Sequence, residues 1–94
     1  MKIPTKLKIG GHLCDIIYDD TYKEHGDTHA GTTIPAYTKI FISTIASKSV
    51  QEETLIHEII EFINNGNDLQ LSHQSISTLG ECLYQVLKDN KLIN

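Results

Sequence analysis

A helix with a broad apolar face limits the fold more than any other feature of the sequence. Residues 50–65 place large apolar side chains at helical spacing over one wide arc, which comprises Leu55, Ile56, Ile59, Ile60, Phe62 and Ile63. An arc of this width needs a wide layer to cover it, so we predict that the helix packs on a β-sheet. Ser49 and Glu52 fit an S-x-x-E capping box at the start of this helix, and Gly66 is the predicted stop.

The segments before this helix supply the strands of the predicted sheet. KLKI and HLCDIIYDD flank Gly10-Gly11, and paired glycines provide the positive φ values that a two-residue hairpin turn requires. Residues 21–31 are polar and contain two glycines, so we predict an exposed loop there. AYTKIFISTI, residues 36–45, is rich in β-branched and aromatic residues and is predicted to be a third strand.

A second helix is predicted to follow Ser72 and to run to about Asp89. Its buried stripe is expected to consist of Ile76, Leu79, Leu83, Val86 and Leu87. With 94 residues, 39% apolar content and no tryptophan, the chain supports one modest core. We therefore predict that residues 1–94 form a single α+β domain, in which a small antiparallel sheet of about three strands packs against two helices.

The charge of the chain argues against nucleic-acid binding. All eight basic residues are lysines and the formal net charge is −4. The chain therefore has neither the bidentate arginine side chains nor the net positive charge that are typical of nucleic-acid-binding proteins. Two short helices can resemble a helix-turn-helix, but we rank a DNA-binding regulator below the alternatives given below. The expected partners therefore do not include nucleic acid.

Membrane and disulfide signals are also missing from the sequence. No segment approaches the roughly 18 apolar residues of a membrane span, and the first residues lack the apolar run of a signal peptide. We expect a cytoplasmic protein without membrane contact. Cys14 and Cys82 form no CxxC arrangement and are expected to be buried free thiols.

The stretch TLIHEIIEFIN places three ligand-type side chains within five positions of the first helix. His57 and Glu61 are one helical turn apart and about 40° apart around the axis, so both can reach one ion. Glu58 projects beside them and can contact a water molecule at that ion without being a ligand itself. The alternative is that these residues are merely the solvated face of an amphipathic helix.

His73, at the start of the second helix, is the predicted third ligand. A short connection between antiparallel helices allows His73 to face His57 and Glu61. Two histidines and one carboxylate, with a fourth position left for water, are the ligand set of a catalytic zinc site. Glu81 is the rival third ligand, and a solvated histidine at a helix start is the alternative for His73. The remaining histidines are expected to be exposed and outside the site, namely His12, His25 and His29.

With these residues in place, the chain resembles the small metallopeptidase-like proteins encoded by bacteriophages and prophages, a minimal branch of the zincins. The resemblance is carried by KIGGHLCDIIY, KIFIS, ETLIHEIIEFIN and LSHQSISTLGECLYQVLKDN, in that order. It implies a zincin-like domain with one zinc ion, an edge strand before the HE helix, and hydrolysis of a peptide or protein substrate in the host cytoplasm. The commoner members carry a second histidine where Glu61 stands. A glutamate there lowers the Lewis acidity of zinc and makes iron or manganese more competitive.

The resulting hypothesis is a zinc peptidase in which His57, Glu61 and His73 bind the metal and Glu58 is the catalytic general base. The KIFIS strand would align an extended substrate at the sheet edge. Tyr84 is a candidate oxyanion donor, although a core role is favoured for it. The alternative from another class is a noncatalytic protein-interaction module of a phage that retains a structural or vestigial metal site.

Overall fold

The computed structural model describes residues 3–20 and 30–93, and four strands there form one sheet. The strands are β1 (Lys6–Ile9), β2 (His12–Asp19), β3 (Gly31–Ile34) and β4 (Lys39–Ser43), in the spatial order β1-β2-β4-β3. The β1–β2 and β3–β4 pairs are antiparallel, whereas β2 and β4 run parallel. The α+β class is therefore confirmed, with a mixed sheet of four strands where about three antiparallel ones were predicted.

The hairpin of β1 and β2 is confirmed. Gly10 and Gly11 have φ values of +57° and +81°, which side chains with a Cβ rarely adopt. The turn pairs Ile9 with His12 and fixes the register of both strands. Because residues two apart share a face of the sheet, Cys14 and Ile16 of β2 both point into the core, where they are buried.

The segment before the first helix differs from the prediction. The expected strand over residues 36–45 is shorter, because Pro35–Tyr37 forms a 3-10 turn and β4 begins only at Lys39. The preceding strand β3 lies partly in the predicted loop and was not foreseen. It pairs with the next strand, β4, across residues 35–38, but with only four residues it is too short to show a clear strand pattern. The other residues of that predicted loop, 21–29, lie outside the described residues.

The first helix, α1 (Lys48–Asn67), is two residues longer at each end than predicted. Its N-cap is Ser47, whose side chain accepts a hydrogen bond from the backbone N–H of Val50. The predicted capping box of Ser49 and Glu52 is therefore wrong. Glu52 is buried and accepts hydrogen bonds from the second helix instead.

The end of α1 also differs from the prediction. Gly66 lies inside the helix and does not stop it, because the last helical residue is Asn67. The chain leaves the helix at Asp68, which adopts the left-handed conformation with φ of +50° and bonds back to the carbonyl of Asn64. Only residues 68–72 then connect the two helices.

The second helix, α2 (His73–Asp89), begins where the sequence predicts. The Ser72 hydroxyl accepts the backbone N–H of Ser75 at 3.0 Å and caps it. This helix packs almost entirely on α1 and adds a third layer beyond the sheet. Of the predicted buried stripe, Ile76 is buried and Leu87 is half-buried, whereas the other three members, Leu79, Leu83 and Val86, are exposed.

The hydrophobic core lies between the sheet and one face of α1. Its buried members are Ile9, Cys14, Ile16, Ile40 and Ile42 from the strands, with Leu55 and Phe62 from α1. The prediction of buried free thiols is confirmed for Cys14 and wrong for Cys82, which is free but exposed on α2. Among the helices formed by the described residues, none has the length and apolar character needed to cross a membrane.

Candidate metal centre

Three side chains from two helices converge at the junction of α1 and α2. His57 and Glu61 lie one turn apart on α1 and are half-buried, and His73 is the exposed first residue of α2. One potential ligand atom from each of the three lies within 4.8 Å of the other two. The two imidazole rings meet edge to face, with centroids 5.4 Å apart. The structure therefore brings together the three predicted ligands.

Gly80 allows α2 to approach α1 closely at this point. A Cβ atom at Gly80 would lie 3.2 Å from Cα of His57 and 3.4 Å from its Cβ and N atoms, so the helices cross with almost no space between their backbones. Gly80 itself is buried. Gly80 was not among the predicted site residues, although a glycine inside a helical pattern, as in TLGECL, is a signal for close packing.

The surroundings of His57 favour its neutral, ligating form. Burial lowers the pKa of His57 below its ordinary value, and the nearby imidazole of His73 lowers this pKa further, while the carboxylate of Glu61 opposes both effects. A neutral imidazole has a lone pair that can bind a metal. The environment of His57 is therefore suited to coordination near neutral pH.

Glu58 stands beside the three donors as a buried carboxylate. It is 5% exposed, and its Oε2 atom lies 3.9 Å from Nε2 of His57. Its other oxygen, Oε1, accepts a hydrogen bond from the hydroxyl of Thr33 at 2.6 Å. Thr33 belongs to β3, the strand that the sequence did not reveal, so this positioning contact could not be predicted. The carboxylate is thus held in place from the sheet side.

Gly31 brings β3 close enough to α1 for this contact. A Cβ atom there would lie 2.7 Å from the carbonyl oxygen of Phe41 and from Cγ2 of Thr54, and 3.4 Å from Cγ of Glu58. No other residue type fits without a shift of strand or helix. The predicted loop, residues 21–31, therefore ends at a glycine that begins a tightly packed strand at the site.

An open cavity of about 360 Å³ lies between β3 and the two helices. Its lining is mainly polar and comprises Ala30, Gly31, Glu53, Thr54, His57, Glu58, His73, Ser77 and Glu81. Glu81, the rival third ligand, lines this cavity, but among the described residues the convergent donor group contains His73 and not Glu81. Ser77, one turn after His73, places its hydroxyl 3.4 Å from Nε2 of that ring.

Of the other residues considered, His12 and Tyr84 lie outside the donor group. His12 is exposed on β2, as expected, whereas His25 and His29 lie outside the described residues. The hydroxyl of Tyr84 donates to Glu52 at 2.5 Å between the two helices, and Tyr84 is not part of the cavity lining. The suggestion that it is an oxyanion donor is therefore wrong, because its proton is already engaged.

The geometry of the donor group fits a small divalent ion. At zinc bond lengths of about 2.0–2.1 Å, two ligands of a tetrahedral ion lie about 3.3 Å apart. Donors within 4.8 Å of one another need to draw together by at most about 1.5 Å, which side-chain rotation can supply. Two imidazoles and a carboxylate suit zinc, and they also suit iron or manganese.

Comparison with known proteins gives no relative for this chain. No protein-family model, no curated protein and no solved structure matches it.

Proposed function

We propose that the protein is a metal-dependent hydrolase that cleaves peptide bonds, with His57, Glu61 and His73 as metal ligands and Glu58 as general base. The observation that carries this proposal is the convergence of the three donors within 4.8 Å, next to a buried carboxylate. Zinc is the metal that best suits the donor set, with iron or manganese as alternatives. An origin in a phage or mobile element rests on the resemblance alone.

A zinc ion supplies Lewis acidity, which polarises a substrate carbonyl and lowers the pKa of a water molecule. The protein's own contribution is the position of Glu58. Thr33 holds one carboxylate oxygen, and the other faces the imidazole of His57. From there Glu58 can accept a proton from the attacking water and pass it to the leaving amine.

The edge of the sheet offers a place for an extended peptide. The KIFIS strand, β4, cannot serve this purpose, because β2 and β3 pair with both of its sides. The described strand next to the site with an unpaired side is β3, at the end of the spatial order. We propose that a substrate segment adds to β3 by main-chain hydrogen bonds, which would lay it along the cavity beside Glu58.

Metal binding is the first test. Untagged protein is stripped with a chelator, and zinc affinity and stoichiometry are then measured by competition with a chromophoric chelator. We expect one zinc per chain, and we expect His57→Ala and His73→Ala to weaken binding strongly. His12→Ala removes an exposed histidine on β2 and is the matched control. Zinc binding that is absent from the wild type, or that is lost equally in the control, would refute the site.

Catalysis is tested separately with a pool of unstructured peptides and detection of cleavage by mass spectrometry. We expect Glu58→Gln to keep zinc and fold but to lose cleavage, since it removes only the base. Equal cleavage by the wild type and by Glu58→Gln would refute the role of Glu58.

A second candidate function is a noncatalytic interaction module with a structural metal. The observation that favours it is the apolar side of α2, where Leu79, Leu83 and Val86 are exposed. In this case zinc should raise the melting temperature, because it ties α2 to α1, while no peptide in the pool is cleaved.

A further inference from the structure

The exposed apolar side of α2 has no part in the proposed hydrolysis. We define the α2 stripe as Leu79, Leu83 and Val86, which are 50%, 45% and 45% exposed. Their spacings of four and three residues place them within about 60° of one another around the helix. Spacings of this kind form the seam along which two helices pack together.

The α2 stripe is bordered mainly by uncharged residues. At 100° per residue, Ser75 and Asn90 lie within about 80° of Leu83 and Cys82 lies about 40° from Val86, whereas the nearest charged residue of the helix, Asp89, lies about 60° from Val86. The chain carries a formal net charge of −4, so two copies repel each other through most surfaces. A contact between two antiparallel copies of α2 centred on Leu83 would place Asp89 beside the uncharged residue Ser77, so it would bring no like charges face to face.

The residues outside the described ranges have few apolar side chains that could cover this stripe. The residues outside the described ranges are 1–2, 21–29 and 94. Their only large apolar side chains are those of Met1 and Tyr22. A second molecule is therefore the better candidate to cover three large apolar side chains.

The two ends of α2 carry a groove and an exposed leucine, on opposite sides of Leu83 along the helix. At the N-terminal end a groove of about 460 Å³ is lined by the uncharged residues Leu71, Ser72, Gln74, Ser75, Thr78 and Leu79. Just beyond the C-terminal end, Leu92 is 67% exposed. Ser75 lies eight residues before Leu83, roughly 12 Å along the helix, and Leu92 lies past the other end of α2, where its backbone N–H bonds back to the carbonyl of Leu87. A two-fold axis at Leu83 would thus bring the Leu92 end of each copy to the groove of the other.

We infer that α2 is the interface of a homodimer, in which two copies pack α2 against α2 in antiparallel orientation around a two-fold axis near Leu83. Such an isologous contact closes on itself and stops at two chains. A helix of 17 residues is about 25 Å long and about 10 Å wide. The helix faces alone therefore cover roughly 250 Å² on each copy, or roughly 500 Å² in total, which is the size of a weak contact, and we expect a dissociation constant on the order of 100 μM.

Analytical ultracentrifugation of the full chain, with reductant and over a concentration range of about 1–500 μM, tests this interface directly. We expect a monomer–dimer equilibrium without larger species. Leu83→Lys places two lysines at the axis and should weaken the dimer at least about tenfold. Gln85→Lys makes the same charge change on an exposed position about 160° around the helix from Leu83, and it should leave the equilibrium unchanged.

Cys82 provides a second measurement that does not depend on these variants. It is exposed whereas Cys14 is buried, so a short bismaleimide cross-linker should join two chains through Cys82 in the wild type and much less in Leu83→Lys. Circular dichroism confirms that the variants fold. A wild type that remains monomeric at 500 μM, open-ended association, or a dimer that Leu83→Lys does not weaken would each overturn the inference.

Discussion

The hydroxyl of Thr33 should be worth a measurable part of the stability of the protein. Thr33→Val keeps the shape of the side chain but removes the donor that reaches Oε1 of Glu58 at 2.6 Å. A hydrogen bond to a charged group contributes about 1.5–3 kcal/mol, and the environment of Glu58 is buried. The better strand propensity of valine offsets only a few tenths of a kcal/mol. We therefore expect a loss of about 2 kcal/mol, which corresponds to roughly 10 °C in melting temperature for a domain of this size.

The assay is urea unfolding at pH 7 followed by circular dichroism, together with thermal melting. Thr32→Val is the matched control, because Thr32 is the neighbouring residue on β3 and points to the opposite face of the sheet from Thr33. We expect this control to change stability by less than about 0.5 kcal/mol. If Thr33→Val loses no more than Thr32→Val, the hydroxyl does not anchor Glu58. Zinc affinity should stay unchanged in both variants, since neither residue is a proposed ligand.

Three further predictions concern the contacts between layers. Burial alone would raise the pKa of Glu52, but hydrogen bonds from neighbouring side chains outweigh it and lower that pKa. The ionised carboxylate therefore stabilises the fold at pH values above its unfolded pKa. Glu52→Gln should lower the free energy of unfolding by about 2 kcal/mol at pH 7, and this difference from the wild type, measured by urea unfolding, should shrink as the pH falls toward 3. The hydrogen bond to Glu52, together with burial, raises the pKa of Tyr84 to about 12. The stability that the Tyr84 hydroxyl provides is fully present below about pH 10 and is lost as the pH rises toward 12. Melting temperatures of Tyr84→Phe should therefore fall less than those of the wild type between about pH 10 and pH 12. Gly31→Ala should destabilise the protein by about 2 kcal/mol, because the added Cβ would lie 2.7 Å from a backbone oxygen of β4. Gly66→Ala is the control inside α1, where the added Cβ meets nothing within 4 Å, and it should stabilise the protein by up to about 1 kcal/mol. Equal melting temperatures for the two variants would contradict this packing.

The parts of the structure that follow from local chemistry could be read from the sequence. Gly10-Gly11 specifies a turn that needs positive φ values, and Ser72 specifies a helix start because its hydroxyl can accept a backbone N–H. The one-turn spacing of His57 and Glu61 likewise follows from helix geometry alone. These features involve residues within a few positions of one another, so a short stretch of sequence contains all the information.

The parts that depend on distant residues could not be read in the same way. Ser49 and Glu52 fit a capping box, but Tyr84 and Lys88, more than thirty residues later, hold the carboxylate instead. The cap therefore falls to Ser47. The parallel contact between β2 and β4 also joins segments more than twenty residues apart, whose meeting has no local signature.

The orientation of α2 shows the limit of reading a helix by its apolar stripe. Leu79 and Leu83 form the most regular apolar pattern, and this pattern predicted the wrong buried face. The helix instead turns Gly80 toward His57, because only a residue without a side chain permits so close a crossing. That rotation exposes the leucines and carries Glu81 to the cavity. His73 lies near His57 and Glu61, as predicted, because it is on the Gly80 side of the helix.

The layered arrangement, in which α2 packs almost entirely on α1, has a consequence for the order in which the molecule comes apart. The outermost layer can open as a unit while the strands and α1 stay folded, because little of the core depends on it. Opening would separate His73 from His57 and Glu61. If these residues bind zinc as proposed, zinc binding and closure of α2 are thermodynamically linked, and each favours the other by the same free energy. Amide hydrogen exchange in α2 should therefore be faster than in α1, and it should slow when the chain takes up zinc.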